Sequence, residues 1–398
     1  MPTDGTPGID EIRTPASRPG LLLNPTVGRI AAWIGARALP RPVRFGGAVL
    51  AARHRDVSEV LRRDLDFRIA PVNAARIEAV NGPFVLGMDR SARLTAERRT
   101  LYSGLAAVDL VALVQASGTD ADALIAAAGD GRIDAVAGYA RIVAGRTARR
   151  LFGMEGADEA TFLEVARAIF AHTFLNLGGD RAIEARALKA AVLMRAWLSG
   201  EIARRRVAGV TGEDYMGALM RLTADDDLVR RTLGGMLVGS VDTTATAVAR
   251  ILVVMGRAPR LLLAATRDAD DHPRLLGWCR EALRRWPHNP IVLRKAADAT
   301  VLNGVTVPAG GQVFAWTQAA MQDAAAFPEP DRMLPDRPAE AYFHFGGGLH
   351  PCAGRVVNDL QIPMLMSRLL GRGIVRVGKV RWAGPFPDRL PLQLRGAA

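Results

Sequence analysis

Residues Phe343 to Arg355 have the sequence F-H-F-G-G-G-L-H-P-C-A-G-R, and this stretch decides which fold and which chemistry to expect. It contains Cys352, one of two cysteines in a chain of 398 residues. Glycines on both sides of Cys352 would let the backbone wrap closely around a ligand. Such a loop can direct backbone N–H groups and a helix N-terminus at the sulfur, and both favour a metal-bound thiolate. The alternative is a glycine-rich turn around a structural cysteine.

Six positions give the pattern F-G-x-G-x-H-x-C-x-G, namely Phe345, Gly346, Gly348, His350, Cys352 and Gly354. The pattern resembles the haem-binding loop of soluble bacterial-type cytochrome P450 enzymes. The resemblance implies a cytochrome P450 fold and haem b (iron protoporphyrin IX), with Cys352 as the axial thiolate on the metal. It implies that the loop at 343–354 packs under the porphyrin and that His350 reaches a propionate. Val357 and Asn358 stand where the family usually has Leu-Ala.

The composition limits the compartment and the partners. The chain has 52 basic and 40 acidic residues, a net charge of +12, which favours acidic partners. Aromatic residues are few and do not alternate with a basic stripe, so we expect no nucleic-acid binding. Two cysteines suit a reducing cytoplasm, and no continuous apolar run predicts a membrane anchor. Residues 1–20 are rich in proline and glycine and predict a flexible N-terminal arm.

Apolar spacings near 3.6 residues predict seven helices, at 91–107, 115–128, 133–152, 159–176, 182–207, 228–256 and 273–286. Two hairpins are predicted from Val43 and from Thr300, and Asn303-Gly304 suits a type I′ turn in the second. Apolar pieces at 374–377 and 390–394 predict further strands. The predicted fold is therefore mainly α with a small β-rich lobe.

The sequence also predicts the domain organisation and one irregular segment. We expect one domain over residues 21–398, with a helix-rich lobe and the β-rich lobe. Residues 323–342 contain four prolines, which exclude regular structure there. This irregular segment leads directly into the cysteine loop, and we interpret it as a scaffold for that loop.

The predicted helix at 228–256 carries the sequence L-V-G-S-V-D-T-T-A-T. An acid next to a hydroxyl, on a helix thinned by Gly239, can deliver protons into an apolar site. The resemblance assigns this catalytic role to Asp242 and Thr243, while Ser240 replaces the usual glycine of the family. The alternative is an ordinary polar helix face.

The spacing E-x-x-R occurs five times, and most such pairs are surface ion pairs. Only Glu281 and Arg284 precede a proline-containing exit and a strand, which is where the family places its buried pair. The resemblance adds Arg337, in the proline-rich segment, as the third member of a structural triad.

Propionates require cations. The resemblance assigns this task to Arg294 and, less typically, to Arg93, which stands where the family usually has a histidine. Glu97 occupies the position of an expected arginine, and the adjacent Arg98 should point about 100° away on a helix. The alternative for Arg294 and Arg93 is a solvated surface position.

Family layout places the substrate among residues 69–88, 170–180, 236–243, 290–293 and 384–388. These segments have few charges, so we expect a small, largely apolar substrate. The candidate contacts are Phe84, Val85, Phe174, Val238 and Val292, and core packing is an equal interpretation for each.

Together these features predict a haem-thiolate monooxygenase that inserts one oxygen atom of O2 into its substrate. The sequence has no flavin or nicotinamide fingerprint, so electrons should come from an acidic ferredoxin with its reductase. That partner should dock near Arg90, Arg98, Arg99 and Arg355, although these charges could also serve solubility alone. Two alternatives stay open: a peroxide-driven haem-thiolate oxidase, and a haem-binding sensor or carrier without catalysis.

Overall fold

The computed structural model describes residues 7–15, 25–154 and 156–396. The helices in these ranges are α1 (Ile9–Ile12), α2 (Pro25–Ala38), α3 (His54–Arg62), α4 (Ala70–Asn81), α5 (Ala92–Ala106), α6 (Leu110–Ala127), α7 (Arg141–Leu151), α8 (Glu159–Phe170), α9 (Arg181–Ala208), α10 (Tyr215–Leu222), α11 (Asp226–Val238), α12 (Asp242–Gly256), α13 (Pro259–Arg267), α14 (His272–Arg285), α15 (Thr317–Ala320) and α16 (Arg355–Arg372). The strands are β1 (Val43–Phe45), β2 (Ala48–Ala51), β3 (Phe67–Arg68), β4 (Arg132–Asp134), β5 (Val292–Ala296), β6 (Thr300–Leu302), β7 (Val305–Val307), β8 (Gln312–Ala315), β9 (Ile374–Val377), β10 (Arg381–Ala383), β11 (Phe386–Arg389) and β12 (Pro391–Leu394).

Aspartate caps begin many of these helices. In α6, α8, α9, α10, α11 and α14 the residue before the first turn is an aspartate whose carboxylate accepts a backbone N–H of that turn. Each such cap satisfies a donor that has no partner within the helix and stabilises the helix by about 1 kcal/mol. The helix starts are therefore encoded locally.

The strands form the small β lobe and three minor sheets. The largest sheet has the order β1-β2-β8-β5-β3, in which β2 and β8 are parallel and the other pairs are antiparallel. Strands β6 and β7 form the second predicted hairpin, and its turn residues Asn303 (φ 45°) and Gly304 (φ 77°) have the positive φ values of a type I′ turn. The mainly α fold with a small β-rich lobe is confirmed.

The predicted helix at 228–256 is interrupted. Helix α11 ends at Val238, and α12 begins at Asp242. Between them the N–H of Ser240 bonds to the carbonyl of Leu237, three residues back, at 3.0 Å. This tighter turn breaks the α-helical hydrogen-bond ladder and opens the helix at its polar cluster.

Two segments differ from their predictions. The predicted helix at 133–152 begins instead with strand β4 and a π-helical turn at Val136–Ala140, and regular helix starts only at Arg141. Within the expected N-terminal arm, residues 7–15 contain α1, and Ile12 is fully buried in the main core against α8 and α9. Residues 1–6 and 16–20 of that arm lie outside the described residues.

Two helical stretches are long and apolar enough to span a membrane by length and composition, Leu110–Ala127 and Asp226–Gly256. The sequence-based prediction overlooked them because small and polar residues interrupt each apolar run. In the second, an 18-residue apolar window is 78% buried within the protein, and the stretch contains the helix break. The first packs along α16 and α7. Core helices of large proteins have the same composition, so these stretches are weak evidence for a membrane location.

Candidate active site

A cavity of about 960 Å³ lies between the helical lobe and the β lobe. Its wall is contributed by α4, α5, the break between α11 and α12, strand β5 and the loop that precedes α16. Every segment that was expected to contact the substrate supplies residues to this wall. The cavity therefore brings together residues as far apart in the chain as Thr14 and Pro385.

The cysteine loop forms one end of the cavity. The N–H of Cys352 donates to the carbonyl of Phe345 at 2.8 Å, which closes the loop. Gly346 and Gly348 have φ values of +69° and +65°, in the left-handed region that favours glycine. A Cβ on Gly348 would lie 1.7 Å from the carbonyl oxygen of Leu61, so no other residue fits there without a backbone shift.

The sulfur of Cys352 is open to the cavity while protein surrounds it on the other sides. Burial raises the pKa of the Cys352 thiol, and hydrogen bonds from the backbone of Gly354 and Arg355 partly offset this rise. Helix α16 begins at Arg355, so its first N–H groups point toward the sulfur. A metal that takes up the sulfur would deprotonate the thiol outright, and these N–H groups would then stabilise the thiolate.

Two arginines and a histidine line the cavity near this loop. Arg98 donates to the carbonyl of Leu349 at 2.6 Å, and Arg294 donates to the carbonyl of Leu293 at 2.8 Å. Among the described residues, neither forms an ion pair with a carboxylate. Burial lowers the pKa of Arg294 to about 10. Burial, with Arg294 and Arg98, lowers the pKa of His350 to about 4, so its imidazole is neutral near pH 7.

These features fit a haem. A thiol open to a large apolar cavity matches the axial ligand, and cavity-lining guanidinium groups that form no ion pair among the described residues match the anionic propionates. Cys352 would hold the iron, while Arg98, Arg294 and His350 would hold the propionates. Phe345, Gly346 and Gly354 also line the cavity.

The helix break contributes hydroxyl groups to the cavity wall. Gly239, Ser240 and Thr243 all line it. The hydroxyl of Thr243 donates to the carbonyl of Gly239 at 2.5 Å, and that of Ser240 donates to the carbonyl of Leu237 at 2.7 Å. Each hydroxyl donates its hydrogen to a backbone carbonyl next to the break, and its oxygen keeps lone pairs that can accept a proton from a neighbouring group.

Asp242 lies behind this wall and is not part of it. Its Oδ1 accepts from Arg167 Nη2 at 2.7 Å and forms an ion pair with Arg141 Nε at 3.2 Å. Burial alone would raise the pKa of Asp242, but the two guanidinium groups outweigh burial and hold it below its usual range. The carboxylate is therefore ionised near pH 7. Its Oδ2 is buried and has no hydrogen-bond partner within the described residues.

Comparisons with known proteins agree with this geometry. The sequence profile described as Cytochrome P450 matches residues 214–375, which include the helix break and the cysteine loop. The chain is 31% identical over 277 residues to the mycinamicin IV hydroxylase/epoxidase of Micromonospora griseorubida. The chain belongs to the cytochrome P450 family. As a member of this family, and by its similarity to this hydroxylase/epoxidase, the protein is an oxidoreductase, a P450 monooxygenase.

The extent of these similarities differs between relatives. The alignment with the mycinamicin enzyme covers 66% of both chains, slightly under two thirds of that relative's length. The cyclooctat-9-en-7-ol 5-monooxygenase of Streptomyces melanosporofaciens is 26% identical over 70% of both chains. The open P450 EryK structure from S. erythraea has a TM-score of 0.78 at 22% identity and covers 96% of this chain and 98% of its own. That likeness shows the P450 fold.

The E-x-x-R pair of this P450 is buried as the resemblance implied. Arg284 donates to both oxygens of Glu281, at 2.8 and 2.9 Å, and both side chains are fully buried. Arg337 Nε lies 3.5 Å from Glu281 Oε2, and the hydroxyl of Tyr342 donates to Oε1 at 2.8 Å. Arg284 also donates to the carbonyl of Arg332, which ties α14 to the irregular segment behind the cysteine loop.

Two expected positions do not reach the cavity. Arg93 is exposed and donates to Glu97 at 2.8 Å, because its position on α5 faces solvent. Glu97 Oε2 in turn lies 3.2 Å from Nη1 of Arg231, so it links α5 to α11. Of the charged residues on this part of α5, Arg98 is the one that faces the cavity. Val238 is 4% exposed and packs in the main core, since the turn that follows it directs it away from the cavity.

The other four proposed substrate contacts, Phe84, Val85, Phe174 and Val292, line the cavity. Sequence reasoning missed further lining residues, notably Arg76 and His288. Arg98 was misplaced as well, although its spacing to Leu101 and Tyr102 (i, i+3, i+4) shows that they share a helix face. Burial, with Arg250, lowers the pKa of His288 to about 3, so it presents a neutral imidazole.

Proposed function

We propose that this P450 is a haem-thiolate monooxygenase that inserts one oxygen atom of O2 into a largely apolar small molecule. The observation that supports this most directly is the shared cavity, which joins the open sulfur of Cys352 to the hydroxyl of Thr243 and to apolar side chains. Haem b bound there supplies O2 activation, and a thiolate ligand favours O–O cleavage.

The protein's own residues would bind and orient the substrate. Phe84 packs against Gly235, where any Cβ would lie 2.5 Å from the ring, so α11 holds this aromatic side chain at a defined position in the wall. Phe174 contacts Phe170 with ring centroids 4.8 Å apart. Such packed aromatic walls exclude water from the reacting region and orient an apolar substrate.

Proton movement would use the helix break. Once its hydroxyl rotates away from the carbonyl of Gly239, Thr243 can accept a proton from one side and pass its own proton toward the cavity. Asp242 is ionised, so it would serve as a relay that takes up a proton transiently at its unpartnered Oδ2. Arg167 also lies 3.1 Å from Asp388, which is partly exposed, and this connects the buried cluster to the surface.

Electrons would come from an acidic ferredoxin with its reductase. Three of the four arginines expected at the docking face are exposed, Arg90, Arg99 and Arg355, whereas Arg98 is turned inward. Arg90 pairs with Asp64 and Arg355 with Asp359. The net charge of +12 supports this partner. Two free cysteines support a cytoplasmic location.

The test is the absorption spectrum of the reduced, CO-treated protein. Wild-type protein should show the Soret band of a thiolate-ligated haem, and the variant Cys352→Ala should lose it. Cys279→Ala is the matched control, because that cysteine is buried in the core away from the cavity. An unchanged spectrum in Cys352→Ala contradicts the proposal. Turnover with peroxide alone would instead point to a peroxide-driven oxidase.

A further inference from the structure

The cavity contains more positive charge than the cofactor requires. Four arginines line it, Arg76, Arg98, Arg186 and Arg294, while Asp180 is the one carboxylate among the described lining residues. Two propionates would neutralise Arg98 and Arg294, which flank the cysteine loop. Arg76 and Arg186 would then share Asp180 as the one acidic residue among the described lining residues.

Arg76 lies on α4, in the part of the wall formed by α4 and the π-helical turn at Ala171–Leu175. Its Nε donates to the carbonyl of Thr173 at 3.0 Å, and Nη2 lies 3.5 Å from Asn73 Oδ1. Both partners are neutral, and burial lowers the pKa of Arg76 with no carboxylate to offset it. The guanidinium is thus held in place with its charge uncompensated among the described residues.

The other two charged residues, Asp180 and Arg186, lie close to each other in the sequence and have different roles. Asp180 caps α9, where its Oδ1 accepts the N–H of Ala182 at 2.8 Å. Arg186 follows on the same helix and forms no ion pair within the described part of the chain. Even if Asp180 neutralises Arg186 in solution, Arg76 keeps a full positive charge in a mostly apolar wall. Arg76 is half-buried, and an uncompensated charge that is partly withdrawn from water is unfavourable unless a ligand pairs with it.

We propose that the substrate carries a carboxylate, and that Arg76 binds it. This inference rests on the proposed function, and it narrows the substrate class to an apolar molecule with one anionic end. A planar guanidinium suits a carboxylate because it can donate two parallel hydrogen bonds. The apolar remainder would pack on Phe84, Phe174 and Val292 in the same cavity.

The experiment is isothermal titration calorimetry of the haem-loaded protein with a panel of matched pairs. Each pair is an apolar carboxylic acid and its primary amide, with linear, monocyclic and fused-ring bodies, beginning with decanoic acid and decanamide. We expect at least one acid to bind about tenfold or more tightly than its amide, because charge-assisted hydrogen bonds are about twice as strong as neutral ones. If no acid binds better than its amide, including the case in which nothing binds, the inference is wrong.

The variant Arg76→Gln separates charge from structure, since glutamine can still donate to the carbonyl of Thr173. It should weaken acid binding about tenfold and leave amide binding unchanged. Arg195→Gln removes the same charge from an exposed position on α9 and should change neither. Equal losses for acid and amide in Arg76→Gln would show a purely structural role and overturn the inference. The CO spectrum of each protein reports the haem-thiolate centre separately, so failure of one proposal does not hide failure of the other.

Discussion

Arg167 donates two hydrogen bonds to a single oxygen of Asp242, from Nε at 2.9 Å and from Nη2 at 2.7 Å. Both side chains are buried, and the pair sits directly behind the helix break that lines the cavity. The cluster therefore links the packing of α8 and α12 to the region where protons would enter.

Replacing Asp242 with Asn should destabilise the fold by about 3 kcal/mol at pH 7, because two arginines lose a buried anionic partner. The pKa of Asp242 is lowered in the folded state. The carboxylate therefore stabilises the fold above the unfolded-state pKa of about 3.9, and this stabilisation is lost as the pH falls through the folded-state pKa. Urea unfolding at pH 7 and near pH 3 measures the difference in unfolding free energy between the variant and the wild type. A difference that does not shrink at the lower pH contradicts this account.

Replacing Thr243 with Val should lower the yield of product per NADPH about tenfold or more, since the isosteric side chain cannot pass a proton. The CO spectrum and substrate affinity should stay unchanged. Thr243→Ser keeps the hydroxyl and is the control. Product and NADPH are measured in the same reaction, and equal coupling in Val and Ser variants would exclude a proton-transfer role for this hydroxyl.

The buried and exposed E-x-x-R pairs give a matched comparison. Arg284→Ala should cost about 3–5 kcal/mol of unfolding free energy, because it leaves Glu281 charged and buried. Arg332→Ala removes an equally short pair, 2.7 Å from Glu329, whose side chains are more than half exposed, and should cost about 1 kcal/mol or less. Denaturant titration of both variants checks this, and similar losses would count against the structural role of the triad.

Two adjacent glycines differ in the room around them. Gly348→Ala forces a Cβ into the carbonyl of Leu61 at a positive φ, so we expect poor haem loading and a loss of about 2 kcal/mol or more. Gly347→Ala places its Cβ 3.6 Å from the Leu61 side chain, an ordinary contact, and should load haem normally. The ratio of haem to polypeptide after purification measures both. Normal loading of the Gly348 variant would show that the loop can move.

Reduction by an acidic ferredoxin should slow as salt is raised, because exposed charges are screened beyond about 10 Å at 0.1 M. At low salt Arg99→Gln should slow reduction relative to the wild type, whereas Arg195→Gln, on α9 and not among the arginines expected at the docking face, should not. Stopped-flow reduction at several ionic strengths tests both statements. A rate that does not depend on salt would leave the basic surface with a solubility role.

Much of this protein is predictable from short-range patterns. Helices α5, α9 and α14 lie within one residue of their predicted bounds at both ends, and both hairpins form where they were expected. Aspartate caps, apolar spacing and the Asn303-Gly304 turn act over a few residues, so the sequence alone specifies them. The cysteine loop is of this kind, since its glycines, thiol and following helix are contiguous.

Only the tertiary structure decided which side chains meet in the cavity. Arg93 and Arg98 lie on one helix, and it is the packing of α5 that turns one to solvent and the other inward. The break between Val238 and Asp242 likewise sends Val238 into the core, although its sequence neighbours line the cavity. The pairing of Asp242 with Arg167, 75 positions away, depends on α8 packing near α12. Long-range contacts of this type depend on how whole helices are placed, and no local pattern in the chain encodes that placement.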